Sequence, residues 1–159
     1  MRYWLMKSEP DEVSFDDVLA APQQTVSWFG VRNYQARNFM RDAMSAGDGI
    51  LFYHSSCALP GVAGIAEVAS GPYPDATQFD ASSPYHDPKA TRENPRWISV
   101  DVRALESGRY LPLSELRTIP ALEDMVLLQK GSRLSVSPVT AAQWNTIVAL
   151  LRESKGGKR

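Results

Sequence analysis

Ile50-Leu51-Phe52-Tyr53-His54 is apolar or aromatic at nearly every position and follows the turn-forming Gly47-Asp48-Gly49. A short run of this kind predicts a central strand, because a strand with one wet face would alternate. Its antiparallel partner is Val62 to Ala69, reached across a loop that holds Ser55, Ser56, Cys57 and Pro60. Gly64 inside that partner marks a bulge or a close backbone approach.

The remaining elements are arranged around this pair. Arg2-Tyr3-Trp4-Leu5-Met6 reads as a strand ended by Ser8, Pro10 and Asp11, and Trp97 to Arg103 alternates as a strand with one solvated face. Ser14 with Asp17 three residues later predicts a capped short helix ending near Pro22. Asn33 caps a longer helix to about Met44, with Ala36, Phe39, Met40 and Ala43 on its apolar stripe and Arg37 and Arg41 on another face. Leu113 to Arg117 and Pro120 to Met125 read as helical turns, and Gly131 to Val136 as a short strand or extended loop ended by Pro138. Thr140 and Gln143 form a capping box before an amphipathic helix carrying Trp144, Ile147, Val148 and Leu151. Residues 71–97 hold prolines 72, 74, 84, 88 and 95, which predicts a long surface excursion ordered by Tyr73, Phe79, Tyr85 and Trp97. Trp4 and Trp144 are assigned to the core. The expectation is one α+β domain over residues 1–153, built on a curved, mainly antiparallel sheet, with 154–159 as a basic tail.

Composition narrows the function. The single cysteine excludes an internal disulfide and any thiolate cluster. The formal charge is −1, but the residues after Leu151 carry +3 and the rest −4. An acidic body is ill suited to sequence-indifferent binding of nucleic-acid backbone, which needs many cations to displace counterions. No segment approaches the roughly 18–20 apolar residues needed to span a bilayer, and Lys7 and Glu9 interrupt any signal-peptide core. A soluble cytoplasmic protein with no membrane partner is expected. His54 and His86 lack metal-ligand spacing, and neither nucleotide-binding glycine loops nor a nucleophile elbow is present, so no metal, no cofactor and no catalytic residue are assigned. His54-Ser55-Ser56-Cys57 carries chemically active groups, yet neighbours on a strand point to opposite faces.

Five motifs, taken together, resemble one family. Lys7-Ser8-Glu9-Pro10, Trp28-Phe29-Gly30-Val31-Arg32-Asn33-Tyr34-Gln35-Ala36-Arg37-Asn38, Leu51-Phe52-Tyr53-His54-Ser55, Gly64-Ile65-Ala66-Glu67-Val68 and Gly131-Ser132-Arg133-Leu134-Ser135-Val136 occur in the order of the EVE domain motifs. The resemblance runs from about residue 2 to 151. It implies a PUA-like fold, a small curved β-barrel with peripheral helices, related to RNA-binding domains and to YTH domains. It also implies a non-enzymatic reader of modified bases in DNA or RNA. The family pocket would then be walled by Trp28, Val31, Asn33, Tyr53, His54 and Ser55, with Lys7, Ser8 and Glu9 from the first strand and Arg133 and Ser135 from the last.

The side-chain chemistry is compatible with that role. A base removed from its stack offers two π faces and a hydrogen-bonding edge, so its reader needs aromatic walls, amides or hydroxyls, and nearby cations. Several residues keep two readings: Trp28 as core or pocket wall, Trp97 as seal or ligand face, Asn33 as helix cap or edge contact, His54 as a bonded structural histidine or a donor. Arg32, Arg37 and Arg41, with Lys89, Arg92 and Arg96 as a second rim, are the candidate phosphate contacts. The leading expectation is a monomeric or weakly associating module in which Trp28→Ala weakens binding and leaves the thermal midpoint nearly unchanged. The alternatives are a small nuclease or base-processing hydrolase using His54 with Lys7 or Glu9, and a pocket for a small anionic metabolite.

Overall fold

A computed structural model describes residues 1–153; the expected basic tail at 154–159 lies outside the described residues. In chain order the elements are β1 (Tyr3–Ser8), α1 (Phe15–Ala20), β2 (Thr25–Trp28), α2 (Tyr34–Asn38), β3 (Gly49–His54), β4 (Gly61–Val68), β5 (Tyr73–Pro74), β6 (Ile98–Pro112), α3 (Leu113–Leu116), β7 (Val136–Val139) and α4 (Ala141–Leu151).

The expected central pair is present. β3 and β4 are antiparallel, and the sheet order is β2-β6-β4-β3-β1-β7, with β5 paired to β6 beside that path. Among the described residues only β1–β3 is parallel, because the chain crosses over through α1, β2 and α2 between them. Side chains alternate across β1 and β3, and both faces are covered. Trp4, Met6, Ile50 and Phe52 enter one core with Phe15, Val18, Ala36 and Met40 from the helical segments. Leu5, Leu51 and Tyr53 enter a second core with Leu116, Leu122 and Met125 and with Ile147 and Leu151 of α4. Burial on both faces accounts for the unbroken apolar run.

Three expectations are corrected. The sheet is open: β2 and β7 are its two edges and do not pair with each other, so the α+β curved sheet does not close into a barrel. β2 is four residues long and the chain turns away at Gly30, whose φ of 86° a residue with a side chain adopts only under strain. β6 runs 15 residues rather than ending near Arg103; register shifts between Val62 and Gly64 and between Ile65 and Ala66 break the alternation that marks a strand. The helix after Asn33 has its expected cap and span, being α over Tyr34–Asn38 and then widening into a π turn over Phe39–Ala43. Pro138 lies within β7 opposite Trp4, tolerated because β7 is an edge strand with no ladder to lose on its outer side.

Both predicted capping boxes are formed, at Ser14/Asp17 and at Thr140/Gln143. A Cβ on Gly64 would stand 2.4 Å from the buried Phe15 ring, which is the close approach that this glycine permits.

Candidate functional site

A cavity of about 490 Å³ lies between the edge strand β2, the end of β1 and the loop that leads into β7. Lys7, Ser8 and Glu9 reach it from the end of β1, and Val26, Ser27 and Trp28 from β2, continuing through Phe29, Gly30 and Val31. Ser132, Arg133 and Ser135 come from the loop that leads into β7, Ser55 and Ser56 from the loop after β3, Glu12 and Val13 from the segment before α1, and Tyr85 from the excursion. The amide of Lys7 donates to the carbonyl of Ser135 at 2.8 Å, which extends the β1–β7 pairing beside the opening.

Trp28 is core and wall together. It is 7% exposed, meets Phe52 edge-on with ring centroids 5.4 Å apart, and lines the cavity. Among the described residues its indole N–H has no hydrogen-bond partner. Lys7 is half-buried, and burial lowers its ammonium pKa; it forms no ion pair among the described residues. The Glu9 carboxylate is exposed and equally unpaired. The Ser8 hydroxyl donates to the Val13 carbonyl at 2.6 Å.

Tyr85 forms a further wall. Its ring lies over Gly30, where a Cβ would stand 2.9 Å away, and it meets Phe29 edge-on. Its hydroxyl donates to Glu12 Oε2 at 2.6 Å, a bond that, with burial, pushes the phenol up to about 12. Arg32 holds this residue from behind: Nη2 and Nε donate to the Tyr85 carbonyl, Nη1 donates to Asp75, and the guanidinium lies between the Tyr85 and Trp97 rings.

Of the base-contact residues expected from sequence, Lys7, Ser8, Glu9, Trp28, Val31, Ser55, Arg133 and Ser135 line the cavity. Four stand elsewhere. Asn33 Oδ1 accepts the Ala36 N–H and caps α2. Tyr53 lies on the opposite face of β3 and lines a neighbouring hollow. Trp97 is buried beneath Tyr34, and its indole N–H donates to Asp87 at 2.8 Å. His54 Nε2 accepts the Phe15 N–H at 3.1 Å, so the histidine satisfies a free donor at the start of α1.

Most of the proposed phosphate contacts are also engaged inside the protein. Arg32 is paired with Asp75, Arg41 with Asp42 and Arg96 with Asp87. Arg37 donates to the Arg96 carbonyl and stacks on Tyr34, Arg92 lies over Phe79, and Lys89 is exposed on the excursion. None of the six lines the cavity. Sequence reasoning passed over Tyr85, Glu12 and Ser27. The one local signal for Tyr85 was Gly30, which marked a place where something approaches the backbone closely.

His54 carries a pH prediction. Burial lowers its pKa in the folded chain, so the unfolded chain binds the proton more readily. The stabilisation is therefore complete above the unfolded value of about 6.5 and is lost as pH falls through the lowered folded value. Thermal midpoints of wild type and His54→Gln are expected to converge as pH falls from about 7 through the lowered folded value. A constant gap would mean that the Phe15 bond does not depend on neutral imidazole.

No group of three or more metal-ligating side chains occurs among the described residues, and no described helix is long and apolar enough to cross a membrane.

Comparison with known proteins gives a consistent result. The EVE domain model matches residues 2–150. Human thymocyte nuclear protein 1 is 41% identical over 93% of this chain and 73% of its own length. A Pseudomonas putida protein of solved structure superposes with a TM-score of 0.89 at 53% identity, covering 93% of this chain and 98% of that one. The structure of the human THYN1 protein in complex with 5-methylcytosine-containing DNA superposes with a TM-score of 0.88 at 40% identity, covering 98% of this chain and 100% of that one.

Proposed function

Because this chain belongs to the EVE domain family, we propose that it binds DNA by admitting one modified base, 5-methylcytosine being the first candidate, to the cavity walled by Trp28. The observation that carries this reading is the cavity between β2 and the end of β1. It sets an indole with an unused N–H, several serine hydroxyls, an unpaired carboxylate and two unpaired cations around a space of about 490 Å³. The DNA complex of the human homologue supports it. A cytosine edge presents an amino donor beside acceptors, which Glu9 and the serines can meet. Its 5-methyl group calls for apolar surface, which Trp28, Val26 and Val31 supply.

The reading is one of binding without chemistry. His54, the residue on which a hydrolase would depend, spends Nε2 on the Phe15 amide and stands off the cavity lining. Two carboxylates, Glu9 and Glu12, face the same space and offset Lys7 and Arg133, so the cavity offers a small anion no net positive charge.

Fluorescence anisotropy with matched DNA oligonucleotides tests the reading, with RNA of the same sequence as a further arm. A buried methyl group is worth about 0.8 kcal/mol, so 5-methylcytosine DNA is expected to bind about fourfold or more tightly than its unmodified counterpart, and to be recovered intact. Equal affinities would refute it.

A further inference from the structure

A second hollow of about 470 Å³ adjoins the first and shares Lys7, Ser55, Ser56 and Ser132 with it. Its chemistry is different. Three cations, Lys7, Arg117 and Lys130, line it, and no carboxylate does. None of the three is in an ion pair among the described residues, whereas Arg32, Arg41, Arg96, Arg103, Arg109 and Arg152 all are. Tyr53 adds a donor. The residue is only 2% exposed, lines this hollow, and has no hydrogen-bond partner for its hydroxyl among the described residues. The Tyr53 hydroxyl opens onto the hollow beside three unpaired cations, so an anion there would meet a neutral donor as well as positive charge.

We propose that this hollow holds a backbone phosphate of the strand whose base occupies the first cavity, with Arg117 and Lys130 as its principal contacts, Lys7 between the two sites and the Tyr53 hydroxyl donating from below. The proposal rests on the base-binding reading for the identity of the strand. It moves the phosphate contacts from the excursion and the α2 segment, where the arginines are paired with carboxylates, bonded to a carbonyl or laid over rings, to the loops around Arg117 and Lys130. It also resolves how an acidic chain binds a polyanion: the cations that matter are local and unneutralised.

The test is the Arg117→Gln/Lys130→Gln double variant, both residues being exposed and unpaired, measured by anisotropy across a salt series on 5-methylcytosine and cytosine DNA. The double variant is expected to bind both oligonucleotides roughly tenfold more weakly, with the wild-type ratio between them preserved. The slope of log K against log salt is expected to flatten by about 1 or more. Methylphosphonate linkages flanking the modified base are expected to weaken wild-type binding similarly and to add little in the double variant. An unchanged slope and affinity, with the preference for the methylated base intact, overturns the phosphate assignment and leaves the base reading standing. Absence of that preference in the wild type overturns the base reading; the slope then still decides the hollow, flattened in its favour or unchanged against it.

Discussion

Asp75→Ala is expected to lower the unfolding free energy by about 3–5 kcal/mol, the range for stranding the partner of a buried ion pair. Asp75 is fully buried, and its carboxylate accepts from the Gly30 amide at 2.8 Å, Arg32 Nη1 at 3.1 Å, the Thr77 amide at 2.7 Å and the Thr77 hydroxyl at 2.5 Å. Its backbone is equally committed: the amide donates to the Trp97 carbonyl, and the carbonyl accepts from Gln78 Nε2. Alanine would leave a guanidinium, two backbone N–H groups and a hydroxyl without this acceptor, and the positive φ at Gly30 restricts how the turn can rearrange. The effect should reach the cavity. Arg32 would lose its anchor, and with it Tyr85 would lose its place over Gly30. Urea denaturation should show the lost stability, and limited proteolysis should show faster cleavage within residues 76–97. A loss below about 1 kcal/mol would mean that Asp75 is peripheral to the fold.

Trp28→Ala is expected to cost about 3–5 kcal/mol of stability as well as DNA binding. This differs from the expectation drawn from sequence, in which the thermal midpoint hardly moved. The ring packs on Phe52 and belongs to the core with Val31, Val100 and Val102, so its removal opens a void as well as a wall. The separating variant is Trp28→Phe. It keeps an aromatic face against Phe52, costs about 1–3 kcal/mol of stability, and removes the indole N–H and much of the stacking surface. Affinity for 5-methylcytosine DNA is expected to fall by about 1 kcal/mol or more, within the range known for one base–aromatic stack. A folded Trp28→Phe protein that binds as the wild type does would show that the indole does not face the ligand.

Much of the fold was legible because its causes are local. Ser14 with Asp17 and Thr140 with Gln143 each set a helix start within four residues, and both boxes are formed. The apolar run at Ile50–His54 announced a strand covered on both sides. β6 was only half legible, because each bulge against β4 moves a residue to the other face and ends the alternating pattern. Pro138 was misleading for a related reason: proline excludes a strand with two partners, and nothing near position 138 says that β7 has one.

The candidate site was legible by motif and less so by position. The Trp28–Val31 and Lys7–Glu9 motifs do meet at one cavity, while Asn33 and His54 have their acceptors drawn to helix starts. Both are short-range competitions that a sequence permits and only geometry resolves. The arginines show the same limit. Arg32, Arg41 and Arg96 look free in sequence but have carboxylates at 2.8–3.5 Å in the fold.

What the sequence determined by itself is the set of elements, the family and the types of side chain available for recognition, since periodicity, capping and motif order are properties of neighbouring residues. Where the sheet stops pairing was decided only in three dimensions. Beside that end of the sheet, Lys7 and Ser135 share one cavity with Trp28 and Tyr85, residues far apart along the chain. A cavity exists where backbone pairing and side-chain packing both fail to continue, and such a failure is a property of the assembled sheet rather than of any one segment.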